Sequence, residues 1–172
     1  MKVIFLDRDG VINKDTGYLY KISDFQFLDG IFDACKHFNK IGYKIIIITN
    51  QSGIQRGYFS TNDFEILTIW IIEQFKKKNI SILDVFFCPH GPSSKCDCRK
   101  PKPGLLLEAQ NRYDIDLKNS WMIGDKEEDI EAANNAGVHN TLLIKSRYIS
   151  YEKTSKATYI LKSINDSIKY IQ

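Results

Sequence analysis

Two aspartates one residue apart, Asp7 and Asp9, close a short apolar run and are followed by Gly10. In an extended segment residues i and i+2 point the same way, so both carboxylates share one face. Like charges that close repel unless a proton or cation separates them. A hard, oxygen-seeking ion such as magnesium suits that place. Asp7-Arg8-Asp9-Gly10 also reads as a strand entering a solvated turn, because Asp-Gly favours turns. Three more polar groups punctuate the chain. Thr49-Asn50-Gln51-Ser52-Gly53 offers hydroxyls, amides and approachable backbone N–H groups that can hold phosphate oxygens, or forms an ordinary polar loop. Arg99-Lys100-Pro101-Lys102-Pro103-Gly104 carries cations on a backbone stiffened by proline, suited to neutralising a phosphate or to lying in solvent. Gly124-Asp125-Lys126-Glu127-Glu128-Asp129 places Asp125 as a third metal ligand, while Asp125 with Glu128 also makes a good helix N-cap.

A second kind of chemistry lies in Cys88-x-His90 and Cys96-x-Cys98. Three cysteines and one histidine form an established structural zinc set, although the spacing inside each pair is shorter than usual. A reduced, metal-free loop is the alternative. Four soft ligands leave no position for water, so the expected role of zinc is structural. The set ends directly before Arg99 and Lys100, so zinc would fix where those cations point. Cys35 sits in an apolar-patterned helix as a small core residue. His37 and His139 read as surface or packing residues.

The elements that must position these groups alternate short β-branched runs with helical segments, the pattern of parallel βα units. Strands are expected over 3–6, 44–49, 84–87, 120–123, 141–144 and 158–161. Helices are expected over 29–40, 60–78, 103–113, 126–136 and 163–171, and a small hairpin over 18–27. Pro103 suits a helix start, Gly137 a helix end, and Ser60 with Asp63 resembles a capping box. Each polar group then follows a strand, where open parallel sheets bind their ligands.

The 172 residues fit one domain, with the zinc loop at 88–98. The net charge of +3 gives no argument for nucleic acid or membrane as partners. Lys76, Lys77 and Lys78 end a helix, where cations favour the dipole. The start is a poor signal peptide, since its apolar stretch breaks at Asp7, and no run is long enough to span a bilayer. A cytoplasmic protein is expected, with cysteines reduced or metal-bound rather than in disulfides.

In this order and at these places the four polar groups resemble the haloacid dehalogenase-type phosphatase superfamily. Its pattern is Asp-x-Asp, then Thr or Ser, then Lys, then a terminal acidic motif, and the likeness runs from Lys2 to about Ile144. The segments DRDGVIN, GYLYKISDFQFLDG, TNQSGI-RG, CPH, CDCRKPKPG and GDKEEDIEAA resemble a narrower family. These are the D-glycero-D-manno-heptose 1,7-bisphosphate phosphatases, related to histidinol phosphatases. Only Gly91 to Lys95 separate the two ligand pairs, a shorter insert than similar enzymes often carry.

The resemblance implies an α/β, Rossmann-like three-layer sandwich around a mostly parallel sheet, with no separate cap domain and hence an open site. It implies a phosphatase in which Asp7 attacks phosphorus and Asp9 acts as general acid, then base. Thr49 and Lys100 stabilise the phosphoryl group. Asp7, the Asp9 carbonyl and Asp125 hold catalytic magnesium, and Asp129 supports them. Cys88, His90, Cys96 and Cys98 hold zinc. The substrate is a small phosphorylated sugar gripped by Asp15, Thr16, Gly17, Tyr18, Asn50, Gln51, Ser52, Arg99 and Lys126; separately from the resemblance, a monomer is expected. Histidinol phosphate is the alternative substrate. A non-catalytic, zinc-stabilised phosphosugar-binding module is the alternative of another class.

Overall fold

A computed structural model describes residues 1–145 and 155–172. Its centre is a six-stranded sheet of β1 (Val3–Leu6), β2 (Lys44–Asn50), β3 (Asp84–Cys88), β4 (Trp121–Gly124), β5 (Asn140–Ile144) and β6 (Tyr159–Leu161). The order is β3-β2-β1-β4-β5-β6, and every neighbouring pair is parallel. Strands buried on both faces need apolar residues at successive positions. The run Ile45, Ile46, Ile47 and Ile48 supplies them in β2.

Alternation along the strands divides the core in two. Ile4, Leu6, Ile45 and Ile47 pack with Phe38, Leu67, Ile71 and Phe75 from α1 (Ile31–Lys40) and α2 (Thr61–Lys77). Val3, Phe5, Ile46 and Ile48 face the other way. They meet Leu105, Leu106, Ala132 and Ala133 from α3 (Gly104–Tyr113) and α4 (Glu127–Ala136). The result is the three-layer sandwich expected from the sequence, and no cap domain is present among the described residues.

Local chemistry sets the helix ends. Ser60 Oγ accepts from the Asp63 amide at 3.1 Å while Asp63 accepts from the Ser60 amide at 2.8 Å, so the expected capping box forms. Gly137 closes α4 with φ 97°, a left-handed conformation glycine adopts without strain. The start of α4 differs from expectation. Asp129, rather than Glu128, closes that turn by accepting from the amides of Asp125 and Lys126. The Asp125 side chain is thereby left out of the cap.

Two other elements differ. Residues 18–27 form no hairpin: the chain makes a short 3₁₀ turn at Ile22–Asp24, and Phe27 joins Asn13 in a single antiparallel bridge. Phe25 and Phe27 turn to the core instead, where Phe25 meets Trp70 edge-on and Phe27 stacks on it. The terminal segment is a 3₁₀ helix, Ile164–Lys169, rather than an α-helix. Buried Ser167 turns its hydroxyl onto the Ile164 carbonyl, a local bond that competes with an α-helical ladder.

Candidate active site

In open parallel sheets the crevice lies beyond the strand ends where the order reverses. Here that place is between β1 and β4. Paired registers bring Leu6 beside Ile47 and Ile123, so the residues that follow emerge together. Asp7 is anchored there by its amide, which donates to the Ile123 carbonyl at 3.0 Å. A cleft of about 320 Å³ opens over this edge. Asp7, Asp9, Thr49, Lys100 and Asp129 line its floor, and Asp15, Gly17, Tyr18, Ser52, Arg99, Lys126 and Glu128 line its walls.

The floor is held by a buried cation. Lys100 Nζ lies 2.6 Å from Asp7 Oδ1 and 2.6 Å from Asp129 Oδ1, and donates to the Ile48 carbonyl at 2.8 Å. Burial opposes the Lys100 charge, but the two carboxylates outweigh it and raise its pKa. Asn50 braces the backbone of the lysine, accepting from its amide and donating to its carbonyl, each at 3.1 Å. Gln51 donates to Thr49 Oγ1 at 2.8 Å and to Asp9 Oδ2 at 3.1 Å. Because Thr49 accepts that bond, its own proton remains available to an incoming oxygen. Asn50 and Gln51 line the cleft, where the sequence placed them, and also brace Lys100, Thr49 and Asp9.

Asp9 is clasped by three side chains. Arg8 donates from Nε at 3.2 Å and from Nη2 at 2.9 Å, Asn13 donates at 3.0 Å, and Gln51 completes the set. Burial alone would raise the Asp9 pKa, but the Arg8 charge and these donors hold the carboxyl below its ordinary value. Arg8 is itself buried and donates to the Leu19 carbonyl. Arg8 and Asn13 were not singled out from sequence; an arginine between two aspartates was the available signal.

Asp7 and Asp125 lie differently. Burial raises Asp7 to about 7, with the Asp129 and Asp9 charges adding and Lys100 opposing. Burial and the charge of Asp7 raise Asp125 to about 8, despite Lys126. Both Asp125 carboxylate oxygens are buried with no hydrogen-bond partner among the described residues. Oxygens of Asp7, Asp125 and Asp129 lie within 4.8 Å of one another. Asp129 is already committed to Lys100 and two amides, which leaves Asp7 and Asp125 facing a shared gap. Their donor chemistry fits a hard divalent cation. Gly10 makes room: a Cβ there would stand 2.2 Å from Asp125 Oδ2, and the backbone φ is +91°.

On the cleft walls, Lys126 pairs with Asp15 at 3.3 Å, and Asp15 also accepts from the Gly17 amide. Arg99 donates from Nη1 to the His90 carbonyl at 3.1 Å. Thr16 is exposed and does not line the cleft, so it stands apart from the other expected wall residues. Glu128 lines the cleft without having been expected there.

The expected zinc ligands converge. Cys88 Sγ lies 3.8 Å from Cys96 Sγ and 3.1 Å from Cys98 Sγ, and His90 Nδ1 lies 3.5 Å from Cys88 Sγ and 3.3 Å from Cys98 Sγ. A tetrahedral zinc sets sulfurs about 3.8 Å apart and sulfur and nitrogen about 3.6 Å apart, given its usual bond lengths. The set fits zinc. Burial pushes the Cys88 thiol up to about 12, so without a cation it keeps its proton at neutral pH. Residues 51–59 tie this loop to the cleft. The Gln51 amide donates to Cys88, the Gln55 amide donates to Pro89, and Gln55 Oε1 accepts from the Gly91 amide and from Ser94 Oγ. Away from both sites Cys35 is buried in the core, and His37 packs at the Ile171 carbonyl, 2.8 Å away.

Residues 97–167 match the Hydrolase_like model, described as HAD-hydrolase-like. The chain is 45% identical over 164 residues to a D-glycero-alpha-D-manno-heptose-1,7-bisphosphate 7-phosphatase of Photorhabdus laumondii, covering 91% of this chain and 90% of that one. It is 50% identical over 144 residues to a D-glycero-beta-D-manno-heptose-1,7-bisphosphate 7-phosphatase of Helicobacter pylori, covering 83% of each. The chain belongs to the HAD-like phosphatases. Among solved members, the D,D-heptose 1,7-bisphosphate phosphatase of B. bronchiseptica, complexed with magnesium and phosphate, superposes with a TM-score of 0.90 at 30% identity. That match covers 99% of this chain and 98% of the other. No described helix is long and apolar enough to cross a membrane.

Proposed function

We propose that this protein removes the 7-phosphate of D-glycero-D-manno-heptose 1,7-bisphosphate through an aspartyl phosphate on Asp7. The observation that carries the reading is Asp7 itself. It is a buried carboxylate fixed by Lys100 on the floor of an open cleft, in a chain whose relatives bear that activity in their names. Such enzymes serve heptose precursor synthesis for surface polysaccharides, and we place this one in the cytoplasm as a monomer of one catalytic domain.

Lys100 holds one Asp7 oxygen and leaves the other to attack phosphorus. Thr49 donates its hydroxyl proton to a phosphoryl oxygen, and Lys100 offsets charge that develops there. Asp7, the Asp9 carbonyl and Asp125 would hold magnesium, which would supply further positive charge to offset that of the phosphoryl group. As the P–O bond breaks, Asp9 passes a proton to the leaving alkoxide. The negative substrate phosphate brought beside Asp9 counters Arg8 and raises its affinity for that proton. In the second half Asp9 takes a proton from water, whose oxygen attacks the aspartyl phosphate and releases Asp7 and inorganic phosphate. Cys88, His90, Cys96 and Cys98 would hold zinc, which would fix the stem from which Arg99 and Lys100 project. Arg99 and Lys126 contact the sugar and its second phosphate, with Asp15, Gly17, Tyr18 and Ser52 along the wall.

The test is a comparison of kcat/KM, with magnesium, for both anomers of heptose bisphosphate, histidinol phosphate and an aryl phosphate. Heptose bisphosphate should lead by at least about tenfold, the discrimination that one added charged hydrogen bond supplies. Histidinol phosphate leading by that factor would overturn the substrate and leave the chemistry.

A further inference from the structure

The anionic end of a bisphosphate needs a cation that is not already neutralised. Around the cleft most are. Lys100 lies between Asp7 and Asp129, Arg8 is clasped to Asp9, and Lys126 pairs with Asp15. Arg99 keeps donors free but is tethered to the His90 carbonyl. Arg56 is different. Its guanidinium has no carboxylate or hydrogen-bond partner among the described residues, and it rests 5.9 Å from the centre of the Tyr18 ring. That is within the reach of a cation–π contact.

Tyr18 connects this cation to the cleft, because its residue lines the cavity wall. Its ring is braced by the edge of Tyr58, with centroids 4.7 Å apart at 79°. The two residues are 48% and 55% exposed, so about half of their surface has no partner. Tyr18 also holds φ 49°, a left-handed backbone that costs a non-glycine residue energy and recurs at ligand-binding places. The segment that carries Arg56 and Tyr58 is anchored from below. Phe59 stacks on Tyr20 at 5.3 Å, and the Tyr58 amide donates to the Gly53 carbonyl.

We propose that Arg56, seated on the Tyr18–Tyr58 pair at the edge of the cleft, extends the grip of Arg99 and Lys126 into a distal subsite for the non-reacting phosphate of a sugar bisphosphate. The exposed Tyr18 ring faces the C–H surface of the sugar. This rests on the substrate reading above and adds two residues to it. The guanidinium matches phosphate oxygens with paired donors, and the ring under it limits its motion without neutralising it. A sugar carrying only the reacting phosphate leaves Arg56 without a partner. The subsite therefore works in binding and selectivity, not at the reacting bond.

The experiment measures kcat and KM for heptose 1,7-bisphosphate and heptose 7-phosphate in wild type, Arg56→Gln, Arg56→Lys and Tyr58→Leu, with melting curves to confirm folding. In Arg56→Gln the ratio of the two kcat/KM values should fall about tenfold, mostly through KM, the size expected for one charged hydrogen bond. Arg56→Lys should recover part of it, and Tyr58→Leu should lower it less. Inhibition by heptose 1-phosphate, which keeps the distal phosphate, should weaken in step with the bisphosphate. The wild-type advantage of the bisphosphate should shrink with added salt, because an exposed charge is screened. A wild-type preference that survives unchanged in Arg56→Gln overturns the subsite and leaves the substrate reading standing. A wild type that does not turn over the bisphosphate overturns both.

Discussion

The floor of the cleft and its rim are built on opposite terms. On the floor, Asp7, Lys100 and Asp129 are buried and paired at 2.6 Å, Asn50 braces Lys100, and Gln51 and Arg8 hold Asp9. At the rim, Tyr18 and Tyr58 are half-exposed, and Lys126 and Asp15 meet at 3.3 Å near solvent. Pre-placed charge in a dry site is worth most where charge develops in a transition state. Exposed groups give less energy each, but they can be exchanged without disturbing the fold. On the proposed reading the floor sets which bond breaks, and the rim sets whose bond it is.

That division can be broken most directly at Asp7. Asp7→Asn should abolish turnover and leave the melting temperature intact or higher, since burial disfavours the charge that the change removes. Asp9→Asn should cost about 10²-fold or more in kcat. Asp7→Asn retaining wild-type turnover, with no deamidation in the mass spectrum, would remove the nucleophile from the floor.

A second test asks whether zinc supports the floor from outside. Purified protein should carry about one zinc per chain, as a four-ligand site requires, and Cys96→Ser with Cys98→Ser should lose it. The variant should melt lower, because metal binding in such sites is folding energy. Its kcat should fall as Arg99 and Lys100 lose their anchor. Elemental analysis finding no zinc in protein prepared without chelators would refute the site.

The smallest expected effect is a pH dependence of stability. Asp7 and Asp125 titrate at about 7 and about 8 in the fold without a cation, against 3.8 ordinarily. Both are raised, so their contribution is complete below pH 3.8 and is lost as pH rises through about 7 and 8. Other things equal, metal-free protein should lose melting temperature from pH 5 to 8, and magnesium should restore more at pH 8 than at pH 5. Equal magnesium shifts at both values would show that the carboxylates are not the linked groups.

The strands were legible in the sequence because β-branched runs such as Ile45 to Ile48 admit little else, and the floor was legible because its motifs follow those strands. Cys88, His90, Cys96 and Cys98 were legible from residue type alone. The braces were not. Asn50 and Gln51 line the cleft where the sequence placed them, but nothing local says that Lys100 and Asp9 lie beside them. The partnership of Asp129 with Lys100 joins residues far apart in the chain. The supposed hairpin over 18–27 failed for a related reason: alternating aromatics signal one buried face, and Trp70, distant in sequence, buried it.

Residues 51–59 reach Asp9 through Gln51, the zinc loop through Gln55 and the Tyr18 ring through Tyr58. One segment thus shares three tasks, and shared segments make binding events reciprocal. Whatever zinc contributes to gripping the sugar, the sugar must return to the grip on zinc. A protein saturated with sugar phosphate should therefore surrender its zinc to a chelator more slowly than the free protein, and a zinc-starved protein should lose its choice of substrate along with its speed.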